Sequence, residues 1–404
     1  MGASQANDNL WEMLQRDGDV LDLMAIEAIG TRVLLVGAKY EEQRLPVGGE
    51  PVDDQMNETE VRKLMHIISL NSEEKIEWQH SFPAIPDVNE VYSMSATRNG
   101  HLCIAYGRNY ADNEFINPVV LQVDAKGKIG WADIEAIPES FLPDTSAKSY
   151  LQIANLESIR VIDTADNGCL LGYILRQESQ NEETLQLNLI MINRDGSVKW
   201  HFNRETDLYG KMFLVHNNDS NIYIVVQTNQ SRDAAIQAMM AGRPFSPKTS
   251  MLVMSPDGEM KNFYDFDTLT DLSKVWVKQA VGASGAAVLL VGNAKNAWAG
   301  LVSEKGKLGT INNTLNGEFS YATKMHAGGY ILVRSGSLVA LDNQLNLMFD
   351  KPIEPFIRRN YVNAYLAKEL TEQGPIQNIV PISKNTYLVL YKLASRLQKI
   401  EFPD

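Results

Sequence analysis

The sequence predicts an all-β fold, a seven-bladed β-propeller of four-stranded antiparallel blades with two short helical insertions in its loops. Three observations carry this. Short apolar runs, too brief for helices, recur seven times after turn residues. A second apolar run follows each, and six of the seven close on a tight-turn signal. A third run, often holding one aromatic residue, comes directly after that turn.

The first runs are TRVLLVGA from Thr31, NGHLCIAYG from Asn99, NGCLLGYIL from Asn167, SNIYIVVQT from Ser220, SGAAVLLVG from Ser284, GGYILVRSG from Gly328 and NTYLVLYKL from Asn385. They are rich in Val, Ile, Leu and Tyr, as buried strands are, and most open on Gly, Asn or Ser, which turns favour. The second runs are LMHIISLN from Leu64, PVVLQVD from Pro118, LNLIMINRDG from Leu187, SMLVMSPDG from Ser250, WAGLVSEKG from Trp298, GSLVALDNQ from Gly336 and RLQKIEFPD from Arg396. Their turns read NSEE, DAKG, NRDG, SPDG, SEKG and DNQL. Gly in an Asp-x-Gly or Lys-Gly pair supplies the φ > 0 position a hairpin needs. The third runs are KIEWQHSF with Trp78, KIGWADI with Trp131, SVKWHF with Trp200, EMKNFYDF with Phe263 and LNLMFDKP with Phe349. A fourth run precedes each first run, as in VYSMSAT from Val91 and KMFLVHN from Lys211. The first runs start 44 (Ser284 to Gly328) to 68 (Thr31 to Asn99) residues apart. Blades with variable loops accommodate that spread, whereas a solenoid keeps a more constant period.

Residues 1–8 read as a polar tail and 9–404 as a single propeller domain. The seventh unit lacks an outer strand, and NLWEMLQ (Asn9–Gln15) has no partner in the first unit. Strand 9–15 is therefore expected to join the last blade and close the ring, pairing two otherwise exposed strand edges. A free N-terminal helix is the alternative.

The turn-plus-aromatic pattern carries a resemblance. Asp124-Ala-Lys-Gly127-Lys-Ile-Gly-Trp131 and Asn193-Arg-Asp-Gly196-Ser-Val-Lys-Trp200 resemble the Asp-x-x-Gly-x-x-x-Trp blade ends of pyrroloquinoline-quinone-like propeller repeats. Trp78 and Phe263 keep the aromatic in two further blades. The resemblance implies that Gly makes the turn and Trp packs between blades. The family holds quinoprotein dehydrogenases and non-enzymatic scaffold lipoproteins of the bacterial envelope. The adjacent-cysteine and calcium-ligand features of the enzymes are missing from the sequence, so the resemblance implies the scaffold type. It also implies a periplasmic or outer-membrane, cell-surface location, with a lipid anchor expected if the start is truncated. Cytoplasmic location is the alternative.

The formal net charge of −13 argues against nucleic acid and anionic lipid as main partners, since both demand basic patches. No run reaches the ~18 apolar residues of a membrane-spanning helix, and MGASQANDN has no signal-peptide pattern. Cys103 and Cys169 both sit in apolar runs. Two cysteines make no disulfide framework, and they read as buried free thiols.

Strand order locates a working face. Links between strands one and two, and three and four, lie on one face and are short. The opposite face collects the long segments: Lys39–Arg62, Arg108–Asn117, Arg176–Gln186, Asn229–Thr249, Glu135–Ser149 and Pro352–Gly374. Long loops on a rigid scaffold carry binding. SRDAAIQAMMAG and FIRRNYVNAYLAKEL read as helical insertions on this face. They supply the partner-binding candidates Met239, Met240, Arg243, Phe245, Arg358, Arg359, Tyr361 and Tyr365. The alternative is that both helices simply cover the end of the propeller channel. The Lys39–Arg62 segment holds seven acidic and three basic residues, a solvated loop or a surface for a basic protein.

None of the six histidines makes a metal pair at i, i+2 or i, i+4. The stretch Asp163 to Gly168 faintly resembles a calcium loop but lacks the distal Glu. No catalytic motif, phosphate loop or nucleophile elbow occurs, and no cofactor is expected. The sequence therefore reads as a non-catalytic scaffold that binds a protein through its long-loop face, with cell-envelope membership drawn from the resemblance. Its rivals are a propeller enzyme acting on glycans, as lyase or hydrolase, and a small-ligand or carbohydrate sensor in the channel.

Overall fold

The computed structural model describes residues 22–29, 32–44, 59–73, 75–82, 88–96, 100–108, 118–135, 150–153, 158–164, 166–179, 182–206, 209–216, 221–229, 240, 248–266, 275–293, 297–325, 328–334, 337–352, 376–382, 386–391 and 396–401. It is a seven-bladed propeller. Blade 1 is β1 (Asp22–Ile29), β2 (Arg32–Arg44), β3 (Thr59–Leu70) and β4 (Ile76–Phe82). Blade 2 is β5 (Val88–Ala96), β6 (Leu102–Arg108), β7 (Pro118–Val123) and β8 (Ile129–Glu135). Then β9 (Tyr150–Ile153) precedes blade 3, formed by β10 (Arg160–Asp163), β11 (Cys169–Ser179), β12 (Glu182–Ile192) and β13 (Val198–Thr206). Blade 4 is β14 (Tyr209–His216), β15 (Ile222–Asn229), β16 (Lys248–Met254) and β17 (Met260–Asp265). Blade 5 is β18 (Trp276–Gly282), β19 (Val288–Asn293), β20 (Ala297–Val302) and β21 (Leu308–Leu315). Blade 6 is β22 (Phe319–Lys324), β23 (Tyr330–Arg334), β24 (Ser337–Leu341) and β25 (Leu347–Pro352). Blade 7 shows β26 (Ile376–Pro381), β27 (Thr386–Tyr391) and β28 (Arg396–Glu401) among the described residues.

Strands pair antiparallel in chain order within each blade. Both faces of a blade pack on neighbours, so the middle strands are continuous apolar runs rather than alternating ones; β19, β20 and β24 are buried at every position. The outer strands mix exposed and half-buried residues, as in β13 and β21. One hydrophobic cluster fills each of the seven blade interfaces. The cluster between blades 7 and 1 joins Leu23, Ile26, Val33 and Leu35 to Val380, Leu388, Leu390 and Leu397. The Asn378 Nδ2 donates to the Ile26 carbonyl across this seam at 2.6 Å.

The turns between third and fourth strands explain the Asp-x-x-Gly pattern. Asp124 Oδ1 accepts from the N–H groups of Lys126 and Lys128 at 2.8 and 2.9 Å, and Gly127 N–H donates to the Asp124 carbonyl at 3.0 Å. Gly127 holds φ +80°, and the register slips by one residue beside it, between Gln122 and Val123. This is a hairpin closed by a bulge, which Gly accommodates without strain. The preceding blade covers each such turn. Trp78, Trp131 and Trp200 donate their indole N–H to the carbonyls of Ala125, Arg194 and Pro256 at 3.2, 3.1 and 2.9 Å. Tyr264 lies over Gly306, and in blade 5 the amide of Asn312 donates to the Leu345 carbonyl at 2.9 Å. Trp78, Trp131 and Trp200 thus pack between blades.

Three expectations are corrected. Cys103 and Cys169 are a disulfide, not free thiols; it joins β6 to β11 across blades 2 and 3. The adjacent blade places the cysteines opposite each other, which sequence spacing alone does not reveal. Secondly, much of Lys39–Arg62 is not loop: β2 and β3 pair out to Arg44 opposite Thr59. Thirdly, Arg176–Gln186 is likewise paired, out to Ser179 opposite Glu182. Charged and polar residues such as Glu41, Glu42, Arg44, Gln177 and Glu178 fill much of these ribbons, so they lack the apolar signal by which strands are read. The expected strand 9–15 and helical insertion 356–370 lie outside the described residues, as does insertion 231–242 apart from Met240. Among the described residues no helix is long and apolar enough to cross a membrane.

Candidate functional site

Two features stand out: a projecting hairpin on the face of the long links, and a polar cluster along the channel. The hairpin belongs to blade 1. β1 pairs with β2 only as far as Ala38, and β4 with β3 only from Met65. Beyond them Lys39–Arg44 pairs with Thr59–Leu64 alone, six residue pairs that extend roughly 20 Å at the rise of a strand. Glu41 stands opposite Arg62 in the register. Tyr40 is 48% exposed, with the Lys63 ammonium 5.7 Å from its ring centre. Blade 3 has a similar extension, but there β9 pairs with β11 from Leu175 to Glu178 and covers its edge. No described strand other than β2 and β3 pairs within the blade 1 ribbon.

The inner strands β1, β5, β10, β14, β18, β22 and β26 edge the channel. Along β1, Ile26 and Ala28 turn into the core shared with blade 7, and Ala25 and Ile29 toward blade 2. Alternation leaves Glu27 on the blade 2 side, at the axis. Burial pushes its carboxyl up to about 8, and the charge of Asp163 on β10 adds to the shift. Ser95 on β5 donates to Asp163 Oδ1 at 2.8 Å, and the Asp163 N–H donates back to Ser95 Oγ at 3.1 Å. Ser93 receives the N–H of Val161 at 3.0 Å in the same manner, so two serines stitch blade 2 to blade 3. Arg160 donates to the Ile159 carbonyl at 2.7 Å and sets its guanidinium 5.9 Å from the ring centre of Phe213 in blade 4. Tyr321 on β22 has its phenol raised by burial first and then by the charge of Glu27, with Arg160 opposing. Groups from blades 1, 3 and 6 thus act on one another across the axis. A carboxylic acid held neutral near pH 7 beside a carboxylate, a guanidinium and a phenol can both donate to and accept from a small polar ligand.

Of the eight residues read as partner-binding, Met239, Arg243, Phe245, Arg358, Arg359, Tyr361 and Tyr365 lie outside the described residues. Met240 is described and is 82% exposed. Sequence reading missed Glu27, Arg160 and Tyr321, although a lone Glu inside the apolar run LMAIEAIG was a signal, since charged residues are seldom enclosed without a role. His66 and His201 sit on β3 and β13, bonded to Ser81 and Asn188, away from the channel. Among the described residues no group of three or more His, Cys, Asp or Glu is placed to hold a metal.

No family model and no curated protein matches the chain. Solved structures resemble it at low identity. The propeller domain of the Trilobed protease from Pyrococcus furiosus, described as having an open velcro topology, is 12% identical with a TM-score of 0.49, covering 95% of each chain. The Dos1 propeller is 10% identical with a TM-score of 0.47, covering 92% of this chain and 90% of that one. BBS1N, solved in complex with ARL6DN, is 11% identical with a TM-score of 0.44, covering 84% of this chain and 86% of that one. Likeness this distant carries nothing about function.

Proposed function

We propose that the chain is a non-catalytic propeller scaffold that holds another protein on the face bearing the β2–β3 ribbon, in an extracytoplasmic, cell-envelope setting. One observation carries the reading: six residue pairs of blade 1 extend past the body of the blade. A two-stranded ribbon adds little stability of its own, so its length points to contact with something else. Its composition, with Glu41, Glu42, Arg44, Glu60, Arg62 and Lys63, opposes edge-to-edge pairing with further copies and favours recognition through charge. The net charge of −13 disfavours nucleic acid. The disulfide between Cys103 and Cys169 supports an oxidising compartment, where such bonds persist. The docking of Trp78, Trp131 and Trp200 on the turns of the next blade supports kinship with pyrroloquinoline-quinone-like repeats of the scaffold type. Capture from the native organism's envelope fraction, set against its cytoplasmic fraction, tests both halves. One discrete partner from the envelope supports the reading; a partner found only in the cytoplasm, or none, overturns it.

Glu27 favours a second reading, a sensor or enzyme working in the channel on a small polar ligand such as a carbohydrate. Screening of glycans and small polar metabolites against wild type and Glu27→Gln tests it. Binding or turnover lost in the variant supports the channel reading, and none in the wild type removes it.

A further inference from the structure

We propose that the channel binds a small zwitterion, with its ammonium group held between Glu27 and Asp163 and its carboxylate at Arg160 and Tyr321. The proposal rests on the channel reading above and is independent of the scaffold reading.

Strand geometry brings the two acids together. Around the axis, β5 of blade 2 lies between β1 and β10. Glu27 stands on the blade 2 side of β1, with Ala25 and Ile29. Asp163 stands on the blade 2 side of β10, where Ser95 of β5 donates to it at 2.8 Å. The two carboxyls therefore flank β5 from opposite sides. Both also lie near the short-link face. Asp163 ends β10 opposite Cys169, and Glu27 stands two residues before the end of β1, opposite Leu34.

The positive group lies nearer the long-link face. Arg160 opens β10 opposite Gly172, three residues and so roughly 10 Å from Asp163 along the strand. The Ile159 carbonyl, at 2.7 Å, and the ring of Phe213 position its guanidinium. Tyr321 stands opposite Val333, three residues before the end of β22, at the level of Arg160. The channel is thus acidic at one level and carries a guanidinium and a phenol at the next.

The Glu27 carboxyl and the Tyr321 hydroxyl make no hydrogen bond among the described residues. Lys211, Lys278 and Lys324 also stand on inner strands, but the charge acting on Glu27 is that of Asp163. An enclosed carboxyl beside a second one, with no donor of its own, is costly. A ligand ammonium relieves that cost and favours the ionised form of Glu27. All four groups are half-buried, so a solute in the channel can reach them. A neutral sugar leaves the charges at both levels unmatched, an amine alone meets Arg160, and an acid alone meets Asp163. A zwitterion is complementary to both.

Calorimetric titration of the whole chain tests this with glycine, β-alanine, γ-aminobutyrate and ε-aminocaproate. Butylamine and butyrate serve as counterparts with one charge each, and a panel of neutral sugars runs beside them. At least one zwitterion should bind at least about 10-fold more tightly than either counterpart. Glu27→Gln and Arg160→Gln, each shown by circular dichroism to be folded, should each weaken it about 10-fold. Glu27→Gln should leave butyrate binding unchanged. Zwitterions that bind no better than butylamine or butyrate overturn the proposal, a comparison that needs no variant. If sugars bind and zwitterions do not, this inference falls and the channel reading stands; if nothing binds, both fall.

Discussion

Gly258 and Gly285 allow the contribution of tryptophan docking to be separated from that of backbone strain. Both hold positive φ, +86° and +77°. Replacing either by Ala costs about 1–2 kcal/mol for a side chain in the left-handed region, offset in both by about 0.4–1 kcal/mol from the stiffer unfolded chain. The two positions then diverge. A Cβ at Gly285 meets nothing within 4 Å, while a Cβ at Gly258 would stand 2.7 Å from Cδ2 of Trp200. The indole must move. That endangers its 2.9 Å bond to the Pro256 carbonyl, about 1 kcal/mol, and imposes an overpacking cost of about 1–3 kcal/mol. Gly258→Ala should therefore be about 2–4 kcal/mol less stable than Gly285→Ala. Urea unfolding followed by circular dichroism measures this as a difference in midpoints at matched slope. Coincident midpoints would refute the claim that the aromatic residues of the outer strands lock each blade to the next turn.

Two further outcomes follow from the core and the channel. Denatured, unreduced protein should titrate no thiol, and replacing Cys103 and Cys169 by Ala should lower stability by about 4 kcal/mol from the chain-entropy estimate for a bond between residues 66 apart; two reactive thiols would contradict the pairing. Glu27, raised to about 8 in the fold from an ordinary 4.5, binds more protons folded than unfolded across that interval. Stability should therefore fall as pH rises from about 4.5 to 8, by at most about 1.4 kcal/mol per pH unit, and Glu27→Gln should remove that slope; parallel profiles would place Glu27 in solvent.

The blades were legible because a propeller buries both faces of its middle strands, so each reads as an unbroken apolar run such as VLLVG in β19 or LVAL in β24. The turns were legible because the bulge after Asp124, Asn193 and Ser255 demands Gly. Hydrophobicity does not mark a strand built largely of charged and polar residues, so Lys39–Arg44 and Thr59–Arg62 read as loop. Nor does it mark the short β9, which is held by pairing with β11. The channel cluster escaped because Glu27, Asp163 and Tyr321 belong to blades 1, 3 and 6, and only ring closure brings them together. The disulfide escaped for the same reason.

The central claim is that the ribbon face holds a protein. Its most direct test is the affinity of the purified partner for wild type and for a variant in which residues 40–63 are replaced by Asn-Gly, a two-residue hairpin turn. Circular dichroism and the urea midpoint first establish that the variant keeps the fold. The account predicts binding weakened by at least about 100-fold, equivalent to about 2.7 kcal/mol. Equal affinity in the ribbonless variant would contradict it.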